Sequence, residues 1–74
     1  MRNNSLKQLC VLLGQRIKKL REEKNLSQEN FAEKIEMSRT YLAYLETGAR
    51  MPSLKTLHKI ASVLNVTVWE LFKV

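Results

Sequence analysis

Seventy-four residues are enough for one small domain, near the lower limit of what folds alone. Thirteen Lys and Arg against seven Asp and Glu leave a net charge of +6, which points to a polyanionic partner without distinguishing DNA, RNA or lipid. A single Cys excludes an internal disulfide and suits a reducing cytosol, and no apolar run approaches a membrane span of ~20 residues or a signal-peptide core, so the expected location is cytoplasmic with no membrane partner.

The chain begins with a polar end, Met1–Asn4, read as frayed, with Arg2 its one cation. From Ser5 to Lys24 the residues Leu6, Leu9, Leu13, Ile17 and Leu20 repeat at three and four, the signature of an amphipathic helix. Gly14 inside it costs about 1 kcal/mol against Ala, which predicts a helix that starts late or bends there. Val11 and Leu12 lie off the stripe, either packed on the last helix or part of a partner contact. Arg16, Lys18, Lys19, Arg21 and Lys24 make the second half basic. That run is a solvated helix face in one reading; in the other, Arg16 or Lys19 reaches a phosphate flanking a DNA groove.

After a turn at Asn25, the stretch Leu26–Gly48 organises the rest. Ser27 caps a helix running to Lys34 or Ile35, and Ser38 caps a second that runs through Thr47 and stops at Gly48. Leu26 with Phe31 and Met37 with Leu42 stand at the spacing of hydrophobic staples. Phe31, Ala32, Ile35, Leu42 and Leu45 face inward, Ala32 being small where two helices cross. The opposite face of the second helix carries Arg39, Thr40, Ala43, Tyr44 and Thr47 as one exposed stripe. A guanidinium, hydroxyls and a phenol there can read base edges or hold phosphates. Two short helices around a tight turn present such a second helix to the DNA major groove.

Met51-Pro52-Ser53 breaks the chain, and Ser53 caps a fourth helix with Leu54, Leu57, Ile60, Ala61 and Leu64 inward. His58 falls at a solvent-facing or boundary position with no Cys, His or carboxylate at ligand spacing, so it is read as neither metal ligand nor catalyst. Asn65 ends this helix. Thr67-Val68-Trp69-Glu70 has the capping-box spacing, with Val66 and Leu71 as its staple. The last helix, Val68–Lys73, and the residue after it offer Val68, Trp69, Leu71, Phe72 and Val74, more apolar surface than one short helix can bury. The surplus marks a partner surface, and a second copy of the chain is the economical partner. Residues 66–74 are thus expected to be the dimerisation element, with Val68, Trp69, Phe72 and Val74 at the interface. No phosphate-cradling Gly loop, metal-ligand cluster or nucleophile with a base is present, so no catalysis, metal or cofactor is expected.

These residues carry a resemblance. Leu13–Phe72 resembles the lambda-repressor/Cro-like helix-turn-helix family, also called the xenobiotic-response-element family. The matching pieces are LGQRIKKLREEK at Leu13–Lys24, Leu26-Ser27-Gln28-Glu29, Phe31-Ala32, Leu45-Glu46-Thr47-Gly48 and Pro52-Ser53-Leu54. Ser38-Arg39-Thr40-Tyr41-Leu42, with Glu46 and Arg50, is similar to the recognition segment of restriction–modification controller proteins. The resemblance implies an all-α, five-helix domain over 1–74, dimerising through its C-terminal region. It implies a phosphate contact at Gln28, an ion pair between Arg21 and Glu46 that pins the first helix to the recognition helix, and base contact within reach of Arg50. Glu36 departs from the pattern: many relatives have Gly there, and a left-handed Glu36 costs roughly 1 kcal/mol.

The expected function is a sequence-specific, homodimeric regulator of transcription on a near-palindromic operator in double-stranded DNA, and the controller resemblance adds autoregulation of a restriction–modification operon. Arg39, Thr40 and Tyr44, with Tyr41 at the edge, are expected at bases; Gln28, Ser38, Thr47, Arg50, Arg16 and Lys19 at phosphates. RNA polymerase is a further expected partner. One alternative is an antitoxin or co-regulator whose apolar C-terminal helix binds a different protein. Another is a nucleic-acid binder that uses charge alone.

Overall fold

A computed structural model describes residues 5–73. Four α-helices follow one another: α1 (Leu6–Glu23), α2 (Gln28–Lys34), α3 (Arg39–Thr47) and α4 (Leu54–Leu64). The chain closes with a 3-10 turn, Val68–Phe72, and there is no strand among the described residues. The expected count of five helices is therefore corrected to four helices and a turn. Its bonds run from Glu70 N–H to Thr67 O at 3.1 Å and from Lys73 N–H to Glu70 O at 3.3 Å, three residues apart. Five residues are too few for an α-helix to repay its nucleation, and short 3-10 pieces are common in that role.

Local chemistry sets the helix boundaries. The hydroxyls of Ser5, Ser27, Ser38 and Ser53 each accept from the backbone N–H three residues on, at 3.0–3.1 Å. Each such cap is worth about 1 kcal/mol. At Thr67 the Glu70 carboxylate reaches back to the backbone N–H at 2.8 Å. Gly48 (φ 83) and Asn65 (φ 60) end α3 and α4 in the left-handed region. Asn25 (φ 59) turns the chain after α1. Glu36 also turns left-handed, at φ 61, and its exposed carboxylate accepts from Lys59 Nζ at 2.7 Å.

One core draws on every element: Leu13 and Ile17 from α1, Phe31 and Ala32 from α2, Leu42 and Leu45 from α3, Leu57, Ile60, Ala61 and Leu64 from α4, and Leu71 from the final turn. Leu54 was expected inward and is 78% exposed. It is the first residue of α4, one turn before Leu57, and lies beyond the edge of the core. Leu6 and Leu9, read as part of the α1 stripe, are 64% and 40% exposed. The cause is a mismatch of length. At ~1.5 Å per residue α1 spans about 27 Å and α3, its main packing partner, about 14 Å, so the first turns of α1 run past the end of α3, covered on one side only, by the link 48–51.

Gly14 neither delays nor interrupts α1. A Cβ there would meet the carbonyl oxygens of Leu45 and Glu46, the second at 2.7 Å. The helix tolerates a poor helix former because α1 and α3 touch backbone to backbone at this point. Val11 packs against the end of α3 rather than the last turn: a Cβ at Gly48 would lie 2.7 Å from its Cα. Leu12 faces the other way and borders Lys73, just past the final turn.

Candidate nucleic-acid interface

The placement of α3 follows from its sequence. Leu42, Leu45 and Glu46 are buried, and at 100° per residue this leaves Arg39, Thr40, Tyr44 and Thr47 exposed on the opposite side. Ala43 is half-buried between them, and Tyr41 is half-buried against the core. The Ser38 hydroxyl oxygen accepts from Tyr41 N–H, which starts the helix and leaves its own O–H to donate.

Glu46 holds this helix to the rest. Its buried carboxylate accepts from Arg21 Nε at 2.6 Å and Nη2 at 3.1 Å, and from Gln28 Nε2 at 3.0 Å. Arg21 Nη1 donates in turn to Leu26 O at 2.6 Å. One residue from each of α1, α2 and α3, and the link between α1 and α2, thus meet in one network. No buried side-chain nitrogen or oxygen lacks a partner among the described residues. Burying a charged pair costs desolvation, so the network contributes geometry more than net stability. Gln28 spends one amide N–H on Glu46 and has a second to offer a ligand.

Beside the network lies an open hollow of about 580 Å³ lined by Lys18, Arg21, Glu22, Ser27, Gln28, Glu29 and Arg39. It brings together Gln28 and Arg39, two of the sequence-derived candidates. Arg16 and Lys19 are not there. They line a separate hollow with Leu12, Gln15 and Lys73, and Arg16 Nε donates to Glu70 O at 3.2 Å, on the final turn. The reason is helical phase: Lys18 stands three residues before Arg21 and shares its face, whereas Arg16 and Lys19 share the neighbouring one. Lys18, named in the basic run but given no phosphate contact there, is the α1 lysine that lines the hollow with Gln28 and Arg39, and its spacing from Arg21 is the signal that places it.

At the exit of α3, Arg50 is exposed with its Cζ 6.0 Å from the centroid of the Tyr44 ring, at the outer range of a cation–π contact. Thr47 Oγ1 donates to Tyr44 O at 3.3 Å. On the final turn, Leu71 is buried and Val68 half-buried on the core, while Trp69 is 71% and Phe72 37% exposed. Val74 and Met1–Asn4 lie outside the described residues. His58 is exposed, and among the described residues no group of His, Cys, Asp and Glu could hold a metal. No helix among them is long and apolar enough to cross a membrane.

Two helices around a tight turn, the second capped, clamped and presenting a polar basic face, define a helix-turn-helix DNA-binding domain. Comparison with known proteins agrees. The profile of the family HTH_3, described as helix-turn-helix, matches residues 17–71. Control protein C.MunI from Mycoplasma sp. is 48% identical over 63 residues, which cover 84% of this chain and 85% of that protein. The restriction–modification controller protein C.AhdI from Aeromonas hydrophila superposes with a TM-score of 0.81 at 39% identity, covering 84% of this chain and 94% of that one. SinR, described as a master regulator for biofilm formation and solved in complex with DNA, gives 0.78 at 39% identity, covering 82% and 98%. The chain belongs to the helix-turn-helix family HTH_3. It is a DNA-binding transcriptional regulator and not an enzyme.

Proposed function

We propose that two copies of the chain bind a near-palindromic operator, each laying α3 in the major groove of one half-site. The carrying observation is the Arg21–Glu46–Gln28 network, which fixes α3 so that Arg39, Thr40 and Tyr44 project together. Arg39 is the guanine reader, because its planar fork matches O6 and N7. Thr40 and Tyr44 meet thymine methyls or phosphates, with Tyr41 at the edge. Gln28, Ser38, Thr47 and Arg50 hold the backbone, joined by Lys18 in place of Arg16 and Lys19. The exposed Trp69 and Phe72 supply a face for the second copy. The controller proteins among its relatives support autoregulation of a restriction–modification operon. Control of a promoter from such an operator makes RNA polymerase the next partner in reach.

Selection from a random duplex-DNA pool at near-physiological salt tests this reading. Enrichment of a two-fold motif with half-site centres roughly 10 bp apart is expected. Retention without a motif would leave only a charge-driven binder. No retention would redirect attention to a different protein at Trp69 and Phe72.

A further inference from the structure

The overhang of α1 exposes Leu6 and Leu9, at 64% and 40%, beside a half-buried Leu12. At spacings of three residues these form one ridge, and with Ser5 and Gln8 they line an apolar hollow of about 410 Å³. Leu12 also borders the hollow that contains Lys73, the residue after Phe72. The ridge therefore runs from the first turn of α1 to a hollow at the edge of the final turn.

The area that a stable dimer buries asks for more surface than the final turn offers. A Trp or Phe offers roughly 150–250 Å² in all, so Trp69 and Phe72 at their observed exposure offer on the order of 200 Å². Each partner in a standard interface buries about 800 Å². The final turn alone falls well short, and the leucine ridge is the apolar surface adjoining it. We infer that Leu6, Leu9 and Leu12 on α1 form the second half of a self-association surface whose first half is the final turn, the occupant being a second copy of this chain. This inference rests on the homodimer reading above. Leu6 lies twelve residues and about 18 Å along α1 from Lys18 in the candidate DNA-facing hollow, but it borders Arg50 across a second hollow, so the start of the ridge adjoins one of the proposed phosphate contacts.

The test is sedimentation equilibrium of the full chain, compared with Leu6→Glu/Leu9→Glu, Trp69→Ala and Leu54→Glu, each first shown by circular dichroism to retain its helix content. Two glutamates lower the net charge from +6 to +4, so a loss of association does not come from greater overall self-repulsion but from losing the apolar contact and placing carboxylates in it. A dimer dissociation constant at least tenfold weaker in both Leu6→Glu/Leu9→Glu and Trp69→Ala, with Leu54→Glu unchanged, is the expected result. A dimeric wild type whose constant is unmoved by the double variant overturns the inference and leaves the homodimer reading standing. Equal weakening by Leu54→Glu, which lies off the ridge, overturns it too. A wild-type chain that stays monomeric at every concentration overturns both.

Discussion

Arg21 and Glu46 face each other across the α1–α3 contact with Nε 2.6 Å from Oε2, and both side chains are buried. Removing one partner strands a buried charge. Arg21→Ala or Glu46→Ala is expected to cost about 3–5 kcal/mol, and each kcal/mol lowers the melting temperature of a domain this size by roughly 4–8 °C. Replacing both by well-packed apolar residues should recover most of the loss. Thermal and urea unfolding measure both. A single-variant loss below ~1 kcal/mol would mean that solvent screens the pair as it does a surface one.

Gly14 supplies the second prediction. In an open helix, Gly14→Ala would gain about 1 kcal/mol. Here the new methyl meets the Leu45 and Glu46 carbonyls, which are backbone and cannot swing aside. A net loss of about 1–3 kcal/mol is expected, in the range of core overpacking. Because the displaced element is α3, DNA affinity should fall with it. A raised melting temperature would show that α1 and α3 have room to separate.

The same residue marks where sequence reasoning stops. Caps at Ser27, Ser38 and Ser53 and the left-handed Gly48 are legible because their partners lie within a few residues. The core positions of α2 and α3 follow from helical periodicity. Gly14 is ambiguous from its neighbours alone; its cause sits some thirty residues away in α3. The exposure of Leu6, Leu9 and Leu54 is equally non-local, since periodicity gives the face of a helix and not the point at which its packing partner ends. For the site, residue types on α3 were readable, but which α1 cations share a hollow with Gln28 and Arg39 follows only from how the helices pack.

The third prediction concerns acid. Hydrogen bonds from the Thr67 backbone and hydroxyl, in that order, hold the Glu70 carboxyl below its usual range, with Lys73 and Arg16 adding smaller pulls. A folded-state pKa below the unfolded one stabilises at pH above the unfolded value, and that contribution is lost as pH falls through the folded one. Glu36 beside Lys59 has the same sign. Both groups are at the surface, so the effect is local: the final turn should loosen as pH drops below the ordinary carboxylate range. Trp69, the sole tryptophan, reports it by fluorescence. Glu70→Gln should flatten that acid transition, and an unchanged transition in the variant would place its origin elsewhere.

The last prediction separates Arg39 from Lys18. A guanidinium that reads a base and an ammonium that holds a phosphate lose different things when truncated. Arg39→Ala is expected to cost about 1–3 kcal/mol on the selected operator and to relax preference at one position per half-site. Lys18→Ala should weaken all sequences alike and lower the slope of log affinity against log salt by about 0.9 for each phosphate released. Lys19→Ala, whose side chain lies on the neighbouring face, should leave the slope unchanged. Titrations of the three variants on operator and scrambled duplex at several salt concentrations decide the matter. If Lys19→Ala lowers the slope and Lys18→Ala does not, the DNA approaches α1 from the side of the final turn, and the docking proposed from the Arg39 hollow is wrong.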